Sequence, residues 1–208
     1  MNNTIVTMGA NPILEELQIF LSENFDFRYN VLTDMPECKP KDTNTYRMID
    51  KRMMNSLSYK AMMQGIDCKD ADVKRFLFSD QIATHHPFKD YLATLPEWDG
   101  TDRVTMLGAR ISGKSMWLNG FHRWMLGMVA QWLGYPARCA NALAPILISA
   151  EQGMCKSTFC SILLPEELRA YYTDKFAITS TSGCEQKIST FGLINMDEFD
   201  RYGIRTMA

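Results

Sequence analysis

The stretch APILISAEQGMCKS, residues 144–157, decides how this chain is read. Its first six residues are a short apolar run, the signature of a buried parallel strand. A polar loop follows, and Lys156 and Ser157 then open STFCSILL, which reads as a helix. Strand, tight loop, lysine, hydroxyl and helix is the order that a nucleotide-phosphate loop requires. The loop turns its amide N–H groups inward around phosphate, and the lysine reaches the β- and γ-phosphates. The hydroxyl ligates Mg²⁺, and the helix N-terminus favours anions. The predicted binding set is Ala150, Gln152, Gly153, Met154, Cys155, Lys156, Ser157 and Thr158, with Thr158 secondary to Ser157.

A second apolar run, GLINMDE over 192–198, ends in two acids. In such a site Asp197 holds Mg²⁺ through water, and Glu198 orients or deprotonates the attacking water. Roughly forty residues separate Lys156 from Asp197, room for a helix and its connections. Side-by-side parallel strands would bring both motifs to their carboxyl ends, where open α/β sheets bind ligands. Taken alone, the acidic pair reads more readily as the exposed end of a core strand.

A rival segment competes for the same role. GARISGKS, residues 108–115, matches G-x-x-x-x-G-K-[ST] letter for letter, whereas AEQGMCKS has Ala150 and Cys155 in the two glycine positions. Context favours the imperfect match. Residues 102–111, DRVTMLGARI, follow a turn at Pro96, Asp99 and Gly100, where Asp99 or Thr101 can cap a helix. They place Val104, Leu107 and Ile111 on one helical face, so no strand feeds the rival loop. Residues 108–115 are therefore expected to be a basic loop between helices.

Outward from these motifs the chain is mostly helical in pattern. Ile13, Leu14, Leu17 and Leu21 have helical spacing, and residues 51–64 and 70–79 read as two helices separated by Gly65. FDFRYNVLTD alternates like a strand, MPECKPKDTN reads as a proline-bearing loop, and TYRMID as a returning strand. FKDYLATL after His86 and Pro87 is helical. Trp117, Phe121, Trp124, Met128 and Trp132 recur every three or four residues and predict one buried helix face. Ser182 and Glu185 form a capping-box pattern. The fold class expected is α/β: a partial P-loop core with parallel strands behind a mostly α-helical N-terminal region. The expected segments are 1–95, a helical region with a short hairpin; 96–139, a helical connector; and 140–208, a C-terminally truncated core.

Composition narrows the classes. At 46% hydrophobic and 22% charged, the chain can bury a real core. Its net charge of -2 means that any nucleic-acid contact needs a local basic patch. Arg28, Lys39, Lys41, Arg47, Lys51 and Arg52, interleaved with Tyr29 and Tyr46, are candidates, diluted by Asp26, Asp34, Glu37, Asp42 and Asp50. The six cysteines include no C-x-x-C pair, which argues against zinc and for reduced thiols. No apolar run reaches the roughly 18 residues of a membrane helix, and the first residues lack a leader's pattern. A cytoplasmic protein without a membrane span is expected.

Several blocks together resemble a known family. PILIS-x-x-QG-x-x-KSTF-x-x-x-LLP, YYTD-x-F and FGLIN-x-DEFD resemble the virulence-associated protein E family, as do LPEWDGTDRV and FHRWMLGMVAQW upstream. The similarity runs from about residue 20 to about residue 203. It implies the ATPase part of primase–helicase-like proteins of bacterial mobile elements and phages, with a RecA-like or AAA-type core. It also implies ATP and Mg²⁺ as cofactors, single-stranded or forked DNA as partner, and a homo-oligomeric ring engaged in DNA replication. Lys156, Ser157, Asp197 and Glu198 fall on the family's functional positions.

The chain departs from that pattern in two ways. Many family members carry glycine where Ala150 and Cys155 stand, and glycine permits backbone angles that a side chain resists. Cys155, beside Lys156 at a helix start, is also a thiol open to oxidation. The later sensor residue and arginine finger are expected from elsewhere, with Arg201 and Arg205 as candidates for contacts in trans. Two alternatives follow. One is a degenerate, non-hydrolysing P-loop that serves as a scaffold; the other is an N-terminal region that itself docks DNA or a partner protein.

Overall fold

The computed structural model describes residues 11–135, 141–175 and 188–197. The fold is mixed α/β and divides between His86 and Pro87 into two compact units. Among the described residues no helix is long and apolar enough to cross a membrane.

The first unit opens with helix α1, Pro12–Asn24. Asn11 caps it by accepting a hydrogen bond from the Ile13 amide, and Pro12 sits where a missing N–H costs nothing. Strand β1, Phe25–Asn30, pairs antiparallel with β2, Met35–Pro40. The two-residue strand β3, Arg47–Met48, adds to β2, and β4, Thr84–His85, adds in parallel to the other side of β1. The sheet order is β3-β2-β1-β4, so this sheet is not wholly parallel.

Helices α2, Lys51–Met63, and α3, Asp70–Leu77, complete the unit. Leu17, Leu21, Phe25, Cys38, Ile49, Leu57, Ala61, Val73 and Leu77 form one core. Leu17 and Leu21 lie one helical turn apart, as do Leu57 and Ala61, and Val73 and Leu77. Three helices thus each lay one stripe on the same apolar cluster.

The second strand of the sheet corrects the sequence reading. MPECKP was predicted as loop because of its prolines, yet it lies inside the sheet. Tyr29 sends its N–H to Ala83 and pairs with Pro36, while the Pro36 carbonyl accepts from Ile49. The missing proline N–H therefore faces the β3 side, where β3 pairs only with Glu37 and Cys38. Proline is tolerated where the ladder asks nothing of its nitrogen.

The second unit contains α4, Pro87–Ala93; α5, Arg103–Ala109; α6, Ser115–Trp132; and α7, Lys156–Ser161. A 3₁₀ helix, Glu166–Tyr171, leads into β5, Tyr172–Thr173, which pairs in parallel with β6, Leu193–Ile194. The cap of α5 is Asp102, which accepts from the Thr105 amide; Asp99 instead grips the Arg103 guanidinium and the Thr101 amide. Phe121, Trp124 and Met128 are buried, as the spacing in α6 predicts. Val104 and Leu107 of α5, Phe159 of α7 and Leu193 of β6 pack on that cluster.

The expected strand over 144–149 does not form: these residues belong to no ladder. Among the described residues no strand pairs with them. Ile146 and Ile148 are 67% and 88% exposed, so the apolar run is not buried. The parallel partner of β6 is β5, not the chain before the loop.

Candidate functional site

Each of the two competing glycine–lysine segments has a clear structural position. Gly108 lies inside α5, buried, and its carbonyl accepts from the Trp117 indole at 2.8 Å. A Cβ added there would press on Phe121 at 3.0 Å, so this glycine serves helix packing. The amides of Arg110, Ile111 and Ser112 donate to the last carbonyls of α5, and that of Lys114 to the Ser112 hydroxyl. A loop whose N–H groups are already engaged offers little to a phosphate.

The segment 150–157 is organised differently. The Ser149 hydroxyl accepts from the Glu151 amide and donates to its carbonyl, closing a small turn. Gly153 has φ 78°, with open space around it, so backbone angle is what requires glycine there. Cys155 has φ 54° and ψ 27°, a left-handed residue at the head of α7. The backbone at 155 thus has the shape usually given to glycine, held at a cost of about 1–2 kcal/mol for a residue with a Cβ. Ala150, Gln152, Gly153, Met154, Cys155 and Thr158 are exposed, while Lys156 and Ser157 are half-buried. Among the described residues no ion pair engages the Lys156 ammonium.

The short helix α7 is fixed by its far side. The Phe159 ring lies 6.3 Å from Phe121, and Leu163 joins the same cluster. Just beyond, Leu164 and Leu168 are fully buried. These anchors aim the first turn of α7, with Lys156 and Ser157, away from the core.

Strand β6 is fixed at its start. The Gly192 amide donates to Tyr171 at 2.9 Å, and its carbonyl accepts from the Trp132 indole at 3.0 Å. A Cβ at 192 would intrude on the ring of Phe88, which stacks on Trp132 with centroids 4.5 Å apart. Glycine is needed there for close approach. At the other end of the pair the Asn195 amide donates to the Thr173 carbonyl at 2.8 Å. Asp197 follows two residues later.

The two motifs converge. The Ser157 hydroxyl donates to the Asp197 carboxylate at 2.7 Å. Cys160, one turn along α7, faces the same charge: burial first and the Asp197 carboxylate second push its thiol up. Burial likewise pushes up the Tyr172 phenol, against a hydrogen bond with Asn195 that pulls it down. Sequence reading named the serine and the aspartate, but not Gly192, Trp132, Phe88, Tyr172 or Asn195, which hold or surround them. Only FGLIN hinted at a glycine before the strand. Glu198, Arg201, Arg205 and the Ser182–Glu185 pair lie outside the described residues.

Ser157 and Asp197 are the two described side chains at this site that could hold a magnesium ion. Mg²⁺ keeps several waters and takes one or two protein oxygens together with substrate phosphates, so it needs no all-protein cage. No group of three or more His, Cys, Asp or Glu side chains gathers among the described residues, whereas a hydroxyl and a carboxylate do meet. No protein-family model, no curated protein and no solved structure matches this chain.

Proposed function

We propose that this chain is the ATP-binding part of a Mg²⁺-dependent P-loop ATPase that works on DNA, in the manner of virulence-associated protein E relatives. The observation that carries the reading is the hydrogen bond between Ser157 and Asp197. A hydroxyl at the head of a helix and a carboxylate after a parallel strand are the two protein groups such a site uses around its metal. The rest of the support is local. Lys156 precedes that serine, Gly153 and Cys155 turn the loop through left-handed angles, and β5–β6 is parallel.

In this reading Lys156 would neutralise charge on the terminal phosphates, and Ser157 and Asp197 would hold the magnesium ion. Glu198 accepts a proton from the attacking water. Bound Mg²⁺ supplies charge neutralisation and polarises the phosphoryl oxygens. The cytoplasm, a homo-oligomeric ring and a role in DNA replication belong to the same proposal.

Lys156→Ala tests it directly. Titration with a fluorescent ATP analogue and Mg²⁺ should show binding by the natural chain and a loss of about 100-fold or more in the variant. Equal binding by both would overturn the assignment.

A second reading has its own support: a degenerate loop that binds nucleotide weakly and serves as a scaffold. Residues 144–149 form no ladder before the loop, and Cys155 occupies a left-handed position. Restoring glycine at 150 and 155 separates the two. On this reading affinity rises about 10-fold, chiefly from relief of roughly 1–3 kcal/mol of strain at the left-handed Cys155; an adapted loop changes little.

A further inference from the structure

We propose that the exposed face of α2 is a docking strip for single-stranded nucleic acid. The proposal deepens the DNA role above and rests on it only for the choice of ligand. The sequence pattern had placed a diffuse basic patch across residues 28–52. The fold sorts those cations into two sets.

The first set is neutralised within the unit. Arg28 pairs with Glu37 at 2.6 Å and stacks over Tyr46, and Lys39 and Lys41 both bind Asp26. The second set is Arg47, Lys51 and Arg52. These are exposed, and among the described residues none has an ion pair.

Two of these cations begin α2, whose sequence KRMMNSLSYKAMM contains no carboxylate. Its cap, Asp50, is engaged with the Met53 amide at 2.7 Å. Leu57, Ser58 and Ala61 face the core, which leaves Lys51, Arg52, Asn55, Tyr59 and Lys60 on the open side of the helix. A shallow groove of about 580 Å³ runs along them.

Tyr59 decides between a merely solvated face and a binding face. It is 64% exposed in the middle of this strip. Phosphates meet the cations, a base stacks on the phenol ring, and Asn55 supplies a hydrogen-bonding edge. That combination of a cationic track and an aromatic platform suits single strands, whose bases are free to stack.

The test is fluorescence anisotropy of a labelled oligothymidylate with the full chain, from 50 to 200 mM KCl. Lys51→Glu with Arg52→Glu should weaken binding about tenfold or more and flatten the salt dependence by about two charges. Tyr59→Ala should weaken binding about fivefold or more and leave the salt dependence unchanged. Arg75→Glu, a single charge reversal at a cation already paired with Asp72, should have little effect. If the charge reversal melts α2, the milder Lys51→Ala with Arg52→Ala keeps the comparison open.

Natural chain that ignores the oligonucleotide, α2 variants that bind as well as the natural chain, or displacement by poly-glutamate charge for charge would each overturn the proposal. Nucleotide binding is read in parallel. Oligonucleotide binding without ATP binding leaves the strip standing and removes the ATPase reading; ATP binding without oligonucleotide binding does the reverse.

Discussion

Ser157 donates its hydroxyl proton to Asp197 over 2.7 Å, joining the head of α7 to the segment that leaves β6. Neither group is set in place by its immediate neighbours alone. The serine is aimed by Phe159 and Leu163 on the far side of its helix. The aspartate is aimed by a two-residue parallel ladder and by a glycine bonded to Trp132. A contact between residues forty positions apart therefore reports on the packing of the whole second unit.

Removing either partner should cost little stability and much ligand affinity. Asp197 is exposed, so Ser157→Ala should lower unfolding free energy by only about 1 kcal/mol or less. On the proposed function, Ser157→Ala and Asp197→Asn each abolish the Mg²⁺ dependence of ATP binding. Titrations with and without the metal, beside thermal melts, check both halves.

Gly192→Ala should be far more damaging to the fold. The new methyl group enters the space of the Phe88 ring, an overpacking of about 1–3 kcal/mol. Phe88→Ala is damaging by itself through lost burial, but the double variant should be less destabilised than the sum of the two. Denaturant unfolding of the four proteins measures that coupling.

The thiols should label in a fixed order. Cys155 is exposed, Cys160 is half-covered, and Cys38 and Cys68 are buried. Burial and the nearby Asp197 carboxylate hold the Cys160 thiol above its ordinary range, so its alkylation should need higher pH. Timed iodoacetamide labelling with peptide mass analysis should find Cys155 modified first among these four thiols of the described residues. On the proposed function, Mg²⁺ with ATP slows that modification.

Acid should weaken both units. Hydrogen bonds from Lys41 and then Lys39 hold the Asp26 carboxyl below its usual range. Arg103 and then the Thr101 amide do so for Asp99, and Thr105 for Asp102. A depressed folded-state value means that the stabilisation is present above the ordinary carboxylate range, near pH 4, and is lost as pH falls through it and below. Thermal midpoints should therefore drop between about pH 5 and pH 2, and Asp102→Asn should make that drop smaller.

The helices were legible in the sequence because each carries one apolar stripe of regular spacing. Leu17 with Leu21, Leu57 with Ala61, and Phe121 with Trp124 and Met128 all face the core as their positions predict. The second strand was not, because Pro36 and Pro40 mark a loop unless the side of the ladder they face is known. The run at 144–149 was misread for the opposite reason. An apolar segment looks like a buried strand whenever its neighbours are unknown, and here no described neighbour covers it. Of the candidate site, the serine and aspartate were legible from motif order. Their supports, Gly192 and Trp132, lie sixty residues apart, and only the folded chain brings them together.

The open run before the loop also bears on handling the protein. From Ala142 to Ala150 there is no charged residue, and Ile146 and Ile148 stand in solvent with unladdered backbone around them. Such a stretch is a template for cross-β stacking between molecules, with Pro145 as its single interruption. Concentrated preparations should cloud on warming, and a lysine in place of Ile148 should keep them clear.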